Sequence, residues 1–266
     1  MLKDITIGQY FPGESTVHRL DARVKLIITM LFIVMLFSAD GVFSLSAGVI
    51  FLIMAYTLTE LSPSLITKSL KPVVPVLLIT ALINIFFFEG NEIFRLGFIS
   101  VTDGGLINSA FMLVRVTALI VGSSVLTYTT SPIELTNAIE KLLAPLRIFK
   151  FPVHELAMMM TIALRFIPTF IEETDKIISA QKARGADFET GSLKERAGAV
   201  VPVLVPLFIS AFRRAEELAL AMECRCYRGG EGRTRMKQMK IRTADTVALV
   251  ITFVFLACVF AIDRMN

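Results

Sequence analysis

The sequence has no tryptophan, only two histidines, three cysteines and no glycine-rich phosphate-binding loop. Each shortage removes a class of function. The segment His154-Glu155-Leu156-Ala157-Met158 begins like a zinc-protease helix but lacks the second histidine one turn on, and the other histidine is the distant His18. A zinc site of that kind is excluded. Cys224, Cys226 and Cys258 form no spaced framework, so structural disulfides are not expected, and Cys224-x-Cys226 has no matching pair for a metal. Without G-x-x-x-x-G-K-[ST], any ATP must be bound by another chain. The opening MLKDITIGQYF has no charged segment leading into an apolar stretch and a cleavage site, so secretion is not expected.

What is abundant is apolar surface. Hydrophobic residues make up 55% of 266 residues and the mean hydropathy is +0.69, which is too apolar for a soluble domain of this size and predicts a polytopic membrane protein. The net charge of +4 then reports orientation before it suggests nucleic acid, and none is expected as a partner. Apolar stretches fall at 24–37, 42–58, 73–88, 106–128 and 244–262. The first is shorter than the roughly 20 residues that cross a bilayer, a deficit that tilt or local thinning can absorb. The break at Ser38-Ala39-Asp40-Gly41 makes the first two stretches a tight hairpin rather than one overlong helix.

Between Ser131 and Arg242 the character changes. This stretch holds about two thirds of all Lys and Arg residues, in amphipathic patterns rather than uniformly apolar runs. The expected fold is therefore all-α and polytopic, with about five transmembrane helices. Residues 1–130 form a membrane domain of four such helices, residues 131–242 a helical domain at or under the cytoplasmic membrane surface, and residues 243–266 the last span. Four crossings before the polar domain place the N-terminus on its side. Lys3, Arg19, Arg23, Lys25, Lys68 and Lys71 then join its cations, whereas the opposite loops carry Asp40, Glu89, Glu92, Asp103 and Asp263 against Arg95 and Arg264. The positive-inside rule makes the basic side the cytoplasm. Within the polar domain, residues 197–212 are interrupted by Pro202 and Pro206 and run into Arg213-Arg214, which predicts a helix lying along or just under the membrane.

Two helical patterns in this domain end in the same way. Ile167, Phe170, Ile171, Thr174, Ile177, Ile178 and Gln181 form one stripe, and Leu204, Phe208, Ala211, Ala215, Leu218, Met222 and Cys226 another. The first ends in Ala180-Gln181-Lys182-Ala183-Arg184-Gly185 and the second in Ala221-Met222-Glu223-Cys224-Arg225-Cys226, so both fit A-x-x-[AC]-R-[GC]. Gly185 and the pair Gly229-Gly230 read as helix stop signals. A cation in the last helical turn is favoured by the macrodipole by about 0.3–1 kcal/mol, so either arginine alone reads as an ordinary helix ending. Recurrence on two helices of one domain is what suggests that both point at something else.

These residues carry a specific resemblance. Leu20-Asp21-Ala22-Arg23-Val24-Lys25-Leu26, Thr129-Thr130-Ser131-Pro132, Leu143-Ala144-Pro145-Leu146 and Ala163-Leu164-Arg165-Phe166-Ile167-Pro168, together with the two arginine motifs, resemble the transmembrane T component of energy-coupling factor transporters, the EcfT/CbiQ family. The first motif, Ala183-Arg184-Gly185, is the family's Ala-Arg-Gly signature in full. The second departs to Cys224-Arg225-Cys226, and Ala22 stands where the family usually has Pro. The resemblance implies a non-catalytic coupling subunit of an ATP-driven vitamin or micronutrient importer in the cell membrane. Its partners would be two ABC-type ATPase subunits that use ATP and Mg, a small substrate-binding membrane subunit and the lipid bilayer, with no cofactor or metal on this chain. Residues 131–242 become its coupling domain, and Ala183, Arg184, Gly185, Cys224, Arg225 and Cys226 the residues that engage the ATPases.

Two other classes of function fit the residues less well. A stand-alone secondary transporter needs paired intramembrane charges or broken inverted repeats, and Arg115 is the one clearly ionisable group deep in the apolar stretches. Arg115 reads as structural, satisfied by Asn84 or by helix carbonyls. A membrane enzyme needs a nucleophile with its base or a metal cluster, and neither pattern is present.

Overall fold

A computed structural model describes residues 10–87, 92–96, 99–188, 192–229 and 240–265. Lys3, Glu89 and Gly230, which entered the topology and stop-signal readings, lie outside the described residues. The described chain forms α1 (Ala22–Ser38), α2 (Val42–Thr57), α3 (Ser64–Leu70), α4 (Val74–Phe87), α5 (Asp103–Thr129), α6 (Pro132–Leu142), α7 (Val153–Ala183), α8 (Leu193–Cys224) and α9 (Thr243–Met265). A 3-10 helix, Ala144–Phe149, links α6 to α7. The fold is helical and polytopic, as the composition predicts. One hairpin departs from a purely helical chain: β1 (Glu92–Leu96) pairs antiparallel with β2 (Ile99–Thr102), Phe94 opposite Val101 and Leu96 opposite Ile99. Two runs this short carry little periodic signal, and the loop between α4 and α5 hides them.

The chain divides into two compact units, residues 8–138 with 238–266 and residues 139–237. In the first unit, α1 and α9 lie side by side and are pinned at both ends by two aspartates. Asp245, 1% exposed, accepts the backbone N–H of Asp21 at 2.8 Å and that of Arg242 at 2.6 Å. Asp21 is itself the N-cap of α1, accepting Arg23 N–H at 2.9 Å, and the Arg23 guanidinium donates back at 2.8 Å. That pairing holds the Asp21 carboxyl below the ordinary carboxylate range. At the far end, Asp263 accepts N–H groups of Asp40 at 3.4 Å and Gly41 at 3.3 Å. The two clamps are 18 residues apart on α9 and 19 or 20 apart on the chain through α1, so the helices run parallel and in step. At 1.5 Å per residue the clamps sit about 27 Å apart, close to the roughly 30 Å of a bilayer's hydrocarbon core.

Between the clamps the core converges on Phe32. Its ring stacks on Phe51 of α2 with centroids 5.8 Å apart, and Phe51 meets Phe255 of α9 at 5.4 Å. Met35, Leu36, Leu45, Leu52, Ala118, Val121 and Val259 close around them. Gly122 of α5 makes the fourth wall: a Cβ there would lie 2.3 Å from the Phe32 ring edge. Cations finish the helix ends of this unit. Lys25 Nζ donates to the carbonyls of Thr129, the last residue of α5, at 2.8 Å and of His18 at 3.1 Å. Arg115 donates to the Ala39 carbonyl at the end of α1 and lies 4.8 Å over the Phe111 ring. Asn84 bonds Thr80 O and Met112 Sδ, so a helix-end carbonyl, and not Asn84, is the partner of Arg115.

Length and composition single out four helices able to cross a membrane: α5, α7, α8 from Gly198 onward, and α9. The pair α3 and α4, bent by 62°, is a fifth if counted as one span. The apolar stretches in α1 and α2 are real helices but only 17 and 16 residues long. Residues 197–212, read from sequence as a helix interrupted by prolines, belong to one continuous helix of 32 residues with Pro202 and Pro206 inside it. Because Phe32 is 3% exposed and has no room to retreat from an added methyl group, Gly122→Ala should destabilise the purified protein by about 1–3 kcal/mol. A lowered thermal unfolding midpoint in detergent checks this, with Gly198→Ala, where a Cβ meets nothing within 4 Å, as the control whose midpoint should hold or rise because alanine favours the helix.

Candidate functional site

The second unit is built around α7 and α8, joined through residues 184–192. Three hydrogen bonds lace them together. Gln181 Nε2 donates to Pro202 O at 3.3 Å, Ser210 Oγ donates to Glu173 Oε1, and Arg214 donates to Glu173 Oε2 at 3.2 Å. A residue later on α7 meets a residue earlier on α8, so the two helices run antiparallel. The expected stripes share in this contact only in part: Gln181 reaches α8, but Leu204 and Phe208 stay exposed, leaving apolar surface uncovered within the unit.

Both arginine motifs fold into the same helix ending. In the first, Ala183 is the last helical residue and Arg184 the C-cap, and Gly185 takes a left-handed conformation with φ 88. Gly185 N–H bonds Lys182 O at 3.0 Å and Ala186 N–H bonds Gln181 O at 3.0 Å. In the second, α8 ends at Cys224, Cys226 is left-handed with φ 55, Cys226 N–H bonds Glu223 O at 2.8 Å and Tyr227 N–H bonds Met222 O at 3.0 Å. This double closure is the Schellman motif, and it places each arginine at the same position of the turn. The Cys-Arg-Cys variant thus keeps the backbone of Ala-Arg-Gly. The stop signal expected at Gly229 is not the one used: α8 closes earlier, on a cysteine in a conformation that glycine normally supplies. Ala183, Arg184, Gly185, Cys224, Arg225 and Cys226 are all exposed.

The antiparallel pairing keeps the two tips apart. Each tip caps the C-terminal end of its own helix, so the arginines lie at opposite ends of the pair. Counting along α7 from the level of Arg225 to Arg184 gives a separation on the order of 40 Å at 1.5 Å per residue. The structure therefore gathers Ala183, Arg184 and Gly185 at one point and Cys224, Arg225 and Cys226 at another. Three residues of the site escaped the sequence reading as linkers: Glu173, Ser210 and Arg214. The signal for them was faint, a carboxylate on one amphipathic helix and a cation on the next.

The cost of Cys226 lies in its backbone alone. A Cβ at Gly185 would meet nothing within 4 Å, so exchanges at these matched positions change φ preference and not packing. Cys226→Gly should raise stability and Gly185→Cys lower it, each by about 1 kcal/mol. Opposite shifts of the thermal midpoint in detergent are the expected reading.

Comparison with known proteins then places the chain. The family model described as cobalt transport protein matches residues 13–236. The energy-coupling factor transporter transmembrane protein EcfT of Clostridium kluyveri is 52% identical, with 100% of this chain and 98% of that protein covered. The protein of the same name from Thermosediminibacter oceani is 52% identical, covering 94% of this chain and 95% of its own length. That of Bacillus subtilis is 49% identical over 98% of each. The chain belongs to this family, as a transmembrane component of the energy-coupling factor transporters.

Proposed function

We propose that this chain is the coupling scaffold of an ATP-driven vitamin or micronutrient importer, and that Arg184 and Arg225 are its contacts with two ABC-type ATPase subunits. The observation that carries this reading is the repetition of one exposed, arginine-bearing Schellman turn at the two far ends of an antiparallel helix pair. A guanidinium stays charged at any physiological pH and can fork two hydrogen bonds to a carboxylate or to carbonyls on a groove floor. The neighbours Ala183, Gly185, Cys224 and Cys226 are small enough for the groove walls to close on the turn.

In the proposed cycle, the partner ATPases bind ATP and Mg and change their spacing, and the two tips follow them. The helices α7 and α8 carry that displacement to a small substrate-binding membrane subunit. The uncovered apolar face of α8, with Val201, Leu204, Val205 and Phe208 exposed, fits a lipid or membrane-subunit neighbour. The concentration of Lys and Arg in residues 131–242 supports a cytoplasmic position for this unit and for the N-terminus.

By comparison with other buried interface arginines, each contact is worth about 2 kcal/mol or more. Arg184→Glu and Arg225→Glu should each reduce co-purification of the ATPases by at least about tenfold, and should abolish ATP-driven uptake in vesicles, while the chain still inserts in the membrane. Normal ATPase capture and uptake by both variants would sink the proposal.

A further inference from the structure

Pro202 and Pro206 stand one turn apart inside α8. Proline has no N–H, so Pro206 cannot donate to the carbonyl of Pro202, four residues before it, as a helix requires. That orphaned carbonyl is the one that Gln181 Nε2 reaches from α7, at 3.3 Å. The same residue's own carbonyl accepts two N–H groups of the first arginine turn, from Arg184 at 3.1 Å and from Ala186 at 3.0 Å. Gln181 therefore closes the turn that presents Arg184 with its backbone, and closes the proline gap of α8 with its side chain. On the other side of the prolines, Glu173 holds Ser210 and Arg214. The gap in α8 is bracketed by two attachments to α7, and a helix missing its i to i−4 bonds at that point is where bending concentrates.

We propose that Gln181 is a positioning residue that latches the Arg184 tip to the proline hinge of α8, so that displacement of the first tip is passed into the helix that carries Arg225. Its part in transport rests on the coupling role proposed above, whereas the latch itself is a property of this chain and is tested without partners. The chemistry makes the test specific. Gln181→Leu keeps the size and removes the donor, and Pro206→Ala returns to α8 the N–H that makes the donor unnecessary.

Spin labels at Val200→Cys and Leu220→Cys, both exposed in the native chain and on either side of the hinge, report its angle in the full chain in nanodiscs. The background carries Cys224→Ala, Cys226→Gly and Cys258→Ala. Pulsed electron resonance should give a narrow distance distribution that Gln181→Leu broadens, and the same substitution should have no effect when Pro206→Ala is present. In the complete transporter, Gln181→Leu should lower substrate moved per ATP hydrolysed by roughly fivefold, the equilibrium worth of one ordinary hydrogen bond, with ATPase capture retained. Unchanged distances in Gln181→Leu, or broadening that persists with Pro206→Ala, overturn the latch. Broadened distances with unchanged transport per ATP overturn its part in coupling. Loss of the coupling role itself would show separately, as normal ATPase capture by Arg184→Glu and Arg225→Glu.

Discussion

A backbone amide or carbonyl in apolar surroundings has no water to turn to, and leaving it unpaired costs several kcal/mol. Most of the structure follows from how this chain answers that constraint at its helix ends and breaks. Asp245 takes the amides of Asp21 and Arg242, and Asp263 those of Asp40 and Gly41. Lys25 and Arg115 take the carbonyls left over where α5 and α1 stop. Gln181 takes the one that Pro206 strands. Lys25, Arg115, Asp245 and Asp263 are thus occupied with backbone groups at helix ends.

The aromatic core depends on these caps. Because α9 is fixed to α1 at both ends, Phe255 arrives opposite Phe51, and Phe51 opposite Phe32, without any need for α1 or α2 to be long. A helix of 17 residues that faces its neighbours on several sides, with Ala22, Val24, Lys25, Phe32, Met35 and Leu36 buried, is stabilised by packing more than by lipid. Gly122 then sets how near α5 may approach, since a single methyl group at that position would collide with the ring on which the other helices converge.

The long apolar runs, the helix boundary at Gly185 and the repeated arginine motif were legible in the sequence because each rests on local chemistry. What was not legible depended on contacts made far along the chain. Pro202 and Pro206 read as an interruption, since nothing local repairs a proline gap; the repair comes from Gln181, twenty-one residues away. The end of α8 at the second arginine motif is legible too, but its stop signal reads as the pair Gly229-Gly230 because glycine turns left-handed without cost, and Cys226 takes that conformation instead. Arg115 was assigned to helix carbonyls or Asn84, and only the three-dimensional arrangement of α5 against the end of α1 decides between them. The hairpin of β1 and β2 was hidden by its brevity.

The antiparallel arrangement of α7 and α8 has a further meaning. Two helices of 31 and 32 residues, running in opposite directions and finished by the same turn, are exchanged by a half-turn about an axis passing between them. The sequence repeat is therefore also an approximate spatial symmetry, local to one unit of a single asymmetric chain. A pair of like proteins that closes about a two-fold axis offers two copies of one groove related by that same operation. A chain that carries such an internal dyad presents the same turn to both members of any pair related in that way.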